Sequence, residues 1–285
     1  MAKRIPLELI RHLEWKPGDS IPTLNIDMVQ NSACEILTAL SARLSVWQSD
    51  QAAVGEESMT DWLLFELASR LPAMRYQKFT RHREASETGA DWEWWFVFDQ
   101  GCFGARVQAK RLRVGEDNYP GLAYPNSHGL QIEMLRSDAA KHSLPAFYLH
   151  YSPGGLGSAP LCAGPQTAQE SGAFVSSAAD LYNRFIQPGR KPVSDTQVLA
   201  RANPIECLAC CPSTRVGGLE GLRSYLRSYY PAETGADDGA TVGFRAQIPF
   251  YVQLLLSRDL QPDTAVADSQ APDITGIAVI DLRGA

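Results

Sequence analysis

At 285 residues with a 45% apolar fraction, the chain can bury a sizeable core, as one elaborated domain or one domain with a smaller companion. No apolar run reaches the ~18 residues of a membrane span, and Met1-Ala2-Lys3-Arg4-Ile5-Pro6 lacks the apolar segment of a secretion signal, so a cytoplasmic protein without a membrane partner is expected. A net charge of −6 argues weakly against nucleic acid as a partner of the chain as a whole, so the distribution of charge matters more than its sum.

Residues 1–26 are punctuated by Pro6, Pro17-Gly18 and Pro22. Ile36, Leu37, Leu40, Leu44 and Trp47 recur at helical spacing and predict a helix from Asp27 to Trp47. A second helix is predicted from Ser58 to Arg70, with Trp62, Leu63, Leu64 and Leu67 on its apolar face and Leu71-Pro72 ending it. Residues 74–84 read as a strand with Tyr76 and Phe79 inward, and Glu84 and Glu87 lie on the connection that follows.

Gly89-Ala90-Asp91-Trp92-Glu93-Trp94-Trp95-Phe96-Val97-Phe98 is rich in aromatic and β-branched residues and bounded by turn residues, which predicts a strand. Val107 to Leu112 reads as its neighbour in a hairpin or in one sheet. Alternation puts Asp91, Glu93 and Trp95 on one face of the first strand, and Gln108 and Lys110 on one face of the second. If the faces coincide, two carboxylates, an amide oxygen and an ammonium meet at one point, which suits a hard cation and a polarised water. The competing reading is an ion pair at a strand edge, but unpaired charge is expensive in a sheet this apolar.

Residues 115–128 read as a loop, Leu130 to Lys141 as a helix opened by Gln131, and Pro145 to Tyr151 as a strand. Beyond 152, residues 153–173 are a Gly-, Ala-, Pro- and Ser-rich loop. Helices are expected at 177–187 and from Leu219 to Tyr230, with an acidic, Gly-rich loop at 232–242. Phe250 to Leu256 and Ile274 to Leu282 read as two strands, or as a helix and a strand. No internal repeat occurs.

An Asp opening one strand, followed by Gln108-Ala109-Lys110-Arg111 on the next, resembles the PD-(D/E)XK nucleases, in the Mrr-type variant where Gln replaces the second acid. The stretch Gly89 to Leu112 is also similar to a bacterial family that carries the words GADWEWWF and QAKRL. The resemblance covers residues 56–152. It implies an α/β fold with a restriction-endonuclease-like core of order α-β-β-β-α-β, a mixed sheet flanked by helices. The domain division expected is a helical extension at 1–55, the core at 56–152, and a C-terminal extension at 153–285 packed on it as a jacket. It implies metal-dependent cleavage of DNA, with a place in restriction or defence against foreign DNA, and a homodimer or a defence-system protein as partner. Catalytic roles fall on Asp91, Gln108 and Lys110, with Glu57 as the acid of the preceding helix and Gln131 beside the site. Asp91, Gln108, the carbonyl of Ala109 and Glu93 would hold Mg²⁺ or Mn²⁺, and Glu84 is a further acid that would offset the missing charge of Gln108. The alternative is a nucleic-acid-binding or interaction protein that keeps the fold without turnover.

Arg70, Arg75, Lys78, Arg81 and Arg83, with Arg106, Lys110, Arg111 and Arg113, would make a basic rim along a DNA path; the bland reading is a solvated face. Trp92, Trp94 and Trp95 are expected to be core rather than base-stacking residues. Cys207-x-x-Cys210-Cys211 has the look of a zinc half-site, but a second pair is missing, so buried thiols are expected. An acid in the first turn of a helix also favours the helix dipole, and this alone accounts for Glu57. Walker A, GxGxxG and HExxH motifs do not occur.

Overall fold

The computed structural model describes residues 26–283 apart from 52, 80–88, 113–120, 124, 127–128, 154–169, 188–192, 216, 235–241 and 258–273. Glu84, Glu87, Arg81, Arg83 and Arg113 lie outside the described residues.

The predicted periodicities become elements with small shifts of boundary. Helix α1 spans Ile26–Asp50 and buries Leu37, Leu40 and Leu44. Helix α2 runs Glu56–Arg70, starting two residues before the predicted Ser58, and buries Met59, Leu63, Leu64 and Leu67. Strand β1 is Met74–Lys78, β2 is Trp92–Phe98 and β3 is Gly101–Arg111. A short ribbon of β4 (Pro125–Asn126) and β5 (Gly129–Leu130) leads into α3, Gln131–Lys141. Then come β6 (Ala146–Tyr151) and β7 (Ala173–Ser177). The helix expected at 177–187 is a four-residue α4, Ala178–Leu181, continued by a π-helical turn.

Further short elements follow: α5 (Asp195–Leu199), β8 (Ala202–Pro204), α6 (Cys207–Cys210) and α7 (Pro212–Arg215). After them come α8 (Gly218–Tyr229), α9 (Pro231–Thr234) and β9 (Phe244–Arg245). Phe250–Leu256 is helical, α10, and Gly276–Asp281 is strand β10.

The protein is mixed α/β. Its eight-stranded open sheet has the order β1-β10-β2-β3-β6-β7-β8, with β9 paired to β3. β2 and β3 form the expected antiparallel hairpin, and β6 runs parallel to β3. The last strand, β10, lies between β1 and β2, antiparallel to the first and parallel to the second. With β7 and β8 continuing the sheet past β6, the residues after 152 supply strands of the sheet itself rather than only a jacket around it. An all-apolar strand such as Ile277, Ala278 and Val279 is stable only with both faces covered, and the sheet interior offers that.

Helices cover both faces. One core layer joins α1, α2, α6 and α8 to Phe103, Ala105, Val107, Phe147 and Leu149. The other joins α3, α5 and α10 to Trp95, Val97, Tyr148, Phe174 and Val279. Trp92 and Trp95 are buried and Trp94 is half-buried, as core residues should be. Cys34 of α1 and Cys210 of α6 form a disulfide across 176 residues. Cys210 is thus no free thiol, whereas Cys102, Cys207 and Cys211 are buried and lie outside that disulfide.

Candidate functional site

The chain enters β2 through Gly89, whose φ is +69°. A Cβ there would lie 2.7 Å from the Gln131 carbonyl oxygen and from the Leu135 amide. Glycine is thus required twice, for its backbone conformation and for the close approach of α3. That approach sets the first turn of α3 against the start of β2 and the end of β3, where the polar side chains gather.

Asp91 stands immediately before β2, tied by its amide to the Val107 carbonyl at 3.0 Å. Its Oδ2 accepts from Gln108 Nε2 at 2.6 Å and from the Ala109 amide at 2.9 Å. Gln108 Nε2 also donates to the Ala109 carbonyl at 3.1 Å. On its other side Gln108 Oε1 accepts from Gln131 Nε2 at 3.1 Å. Lys110, with 13% of its side chain exposed, reaches Glu56 Oε1 at 3.3 Å. Glu56 Oε2 accepts from the Arg111 amide at 3.2 Å, which fixes the first turn of α2 over the end of β3. Of the residues read from the sequence, Asp91, Gln108, Ala109 and Gln131 are therefore joined by hydrogen bonds, and the charge of Lys110 acts on Asp91.

The electrostatics are those of a site short of positive charge. Burial lifts the Asp91 carboxyl from its ordinary 3.8 to about 6; Lys110 and the Ala109 amide oppose the rise, and Glu56 and Glu57 add to it. The donors facing inward are hard oxygens: the Asp91 carboxylate, the Ala109 carbonyl and, once its amide turns over, Gln108 Oε1. Such a set fits Mg²⁺ or Mn²⁺ and not a soft metal. Among the described residues no group of three His, Cys, Asp or Glu side chains is placed to hold an ion. A cation here would therefore depend on amide and carbonyl oxygens beside the carboxylates.

Two expectations need correction. Glu93 shares the face but not the site. It is fully buried, its Oε1 is 3.3 Å from Arg106 Nε, and its Oε2 accepts from Trp95 Nε1 at 2.9 Å and Tyr251 at 2.7 Å. A buried carboxylate takes the guanidinium available to it. Glu57 is exposed, and its neighbour Glu56 makes the contacts to Lys110 and Arg111. One residue is about 100° of helical turn, so Glu56 is the acid that touches Lys110, while the charge of Glu57 still acts on Asp91.

The basic rim is also largely spoken for. Arg106 is buried with Glu93 and Asp138, Arg70 pairs with Glu66 at 2.6 Å and Lys78 with Asp61 at 2.6 Å. Arg111 donates to the Val54 carbonyl and Arg75 to those of Pro72 and Met74.

Two buried residues of β6 were not singled out from the sequence. Tyr148 is in register with Gln108, and His150 with Lys110. His150 is pushed down to about 3 by burial and by Lys110, so it is neutral, with Nε2 2.7 Å from Ser176 Oγ. The Tyr148 hydroxyl, raised by burial and by Asp91, has no hydrogen-bond partner among the described residues. Alternation along 146–151 was the available signal, once β6 was known to lie beside β3.

The profile of a family of unknown function, DUF6615, matches residues 26–283. The chain belongs to the DUF6615 family. The match of this DUF6615 member runs through β10 as well as the site, in keeping with a sheet that needs its C-terminal strand. No curated protein matches the chain.

Proposed function

We propose that this DUF6615 protein is a Mg²⁺- or Mn²⁺-dependent nuclease that hydrolyses DNA phosphodiester bonds on a restriction-endonuclease-like core. One observation carries the reading. A single amide nitrogen, Gln108 Nε2, is held between Asp91 Oδ2 and the Ala109 carbonyl, so two hard oxygens already converge on one point beside Lys110 and Glu56. The chain order α2-β1-β2-β3-α3-β6, with the short β4–β5 ribbon ahead of α3, supports it, and β10 is inserted between the first two strands of the sheet.

A divalent cation at that point would supply charge neutralisation and would lower the pKa of a water. Asp91, the Ala109 carbonyl and Gln108 would hold it. Glu56 orients the Lys110 ammonium, whose charge meets the extra negative charge of the phosphodiester transition state. Neutral His150 behind Lys110 adds no competing positive charge.

A second reading, a nucleic-acid-binding protein without turnover, draws on the shortage of carboxylates: among the described residues Asp91 is the carboxylate that touches Gln108, while Glu56 is engaged with Lys110. Supercoiled plasmid incubated with Mg²⁺ or Mn²⁺, against EDTA, separates the two. Nicking that requires the cation and is lost in Lys110→Ala supports the nuclease. DNA binding without nicking under either metal gives the place to the binding protein.

A further inference from the structure

We infer that Gln108 and Gln131 form a paired-amide switch, in which both side-chain amides turn over together when a cation enters; the inference rests on the metal-site reading above. As the site stands, Gln108 Nε2 faces Asp91 Oδ2 and the Ala109 carbonyl. Its NH₂ occupies the position a cation would take, and its one oxygen points away, toward Gln131 Nε2. To ligate, Gln108 must exchange its nitrogen and oxygen. Its nitrogen then faces the Gln131 nitrogen, donor against donor, unless Gln131 turns as well. An amide carries both an acceptor and two donors, so the pair keeps an N–H···O contact in either state.

The Gln131 oxygen has a reason to move. It is buried and without a hydrogen-bond partner among the described residues, and in the turned pair it accepts from Gln108. Gln108 Oε1 beside ionised Asp91 is repulsive without a cation and attractive with one in between. The cation therefore selects the turned state, and Gln131 is a positioning residue that keeps it open. A Glu at position 108 would need no such partner, since both its atoms are oxygens.

The test reads binding and spectra rather than cleavage. In the full chain, the side-chain NH₂ resonances of Gln108 and Gln131 are followed by NMR during a Mg²⁺ titration, and Mn²⁺ affinity is measured by calorimetry. Gln131→Glu can only accept, so it should bring the Gln108 NH₂ signal close to its Mg²⁺-loaded position before any cation is added. Gln131→Met should weaken Mn²⁺ binding by about tenfold, as the loss of an outer-shell partner does. In the Gln108→Glu background the same substitution should cost little. A Gln131 signal that stays still while Gln108 moves, or an equal loss in both backgrounds, overturns the switch and leaves the metal site standing. Wild-type protein that binds neither cation overturns both.

Discussion

Two polar clusters sit on one face of β2 and β3, two residues apart along each strand, and they have opposite characters. In the first, Glu93 and Arg106 are fully buried, and Arg106 Nε lies 3.3 Å from both Glu93 Oε1 and Asp138 Oδ2. In the second, Asp91 faces an amide and a backbone N–H instead of a guanidinium, and its pKa rises to about 6. The residue types are alike and the strands are the same. What differs is the cation: a buried guanidinium lies between the carboxylates of the first cluster, whereas in the second Lys110 acts on Asp91 while paired with Glu56. The buried cluster ties β2, β3 and α3 together by charge. The other holds a carboxyl raised by burial, at a cost in stability, which fits the cation site proposed above.

Breaking the buried cluster should give the largest effect. Arg106→Leu leaves Glu93 and Asp138 buried without their partner and should lower the unfolding free energy by about 3–5 kcal/mol in urea titrations. A stability within error of wild type would remove the contrast.

Next, Lys110→Ala should slow plasmid cleavage by ~10²–10³. DNA binding should largely survive, and stability should change by no more than about 1 kcal/mol, because the Lys110–Glu56 pair is partly exposed. Equal cleavage by wild type and variant would show that Lys110 is not catalytic.

Sharper still is the choice between adjacent acids. Glu56→Gln should weaken Mn²⁺ binding and cleavage by about tenfold. Glu57→Gln should leave both close to wild type. The reverse ranking would restore the expectation drawn from the sequence.

The smallest effect concerns Asp91 and carries the opposite sign from Arg106. Its folded pKa of about 6 exceeds the ordinary 3.8, so the folded state holds the proton more tightly than the unfolded chain. Its contribution is fully favourable below pH 4 and is lost as pH rises through 6. Without added metal, Asp91→Asn should therefore raise stability at pH 7 by about 1 kcal/mol, allowing for partial exposure. It should also abolish Mn²⁺ binding. A destabilised Asp91→Asn would place Asp91 with the structural residues.

Local pattern by itself determined α1, α2, α3, α8 and the strands β2, β3 and β6, and it put Gln108 and Lys110 on one face of β3, because side-chain alternation is a property of each strand alone; that Asp91 shares that face was decided by the pairing of β2 with β3. It also put Gln131 at the head of α3, though its reach to Gln108 was decided by how α3 packs on the sheet. Only the tertiary structure decided the rest. Glu93 was separated from Asp91 by the arrival of Arg106 across the hairpin and of Tyr251 from α10. Glu56 replaced Glu57 because the docking angle of α2, not its amphipathic stripe, selects which first-turn acid reaches Lys110. The placing of β10 between β1 and β2, and the bond between Cys34 and Cys210, join segments far apart in the chain. Such pairings are chosen by complementary surfaces that exist only once the sheet and helices have assembled, so no local spacing of residues encodes them.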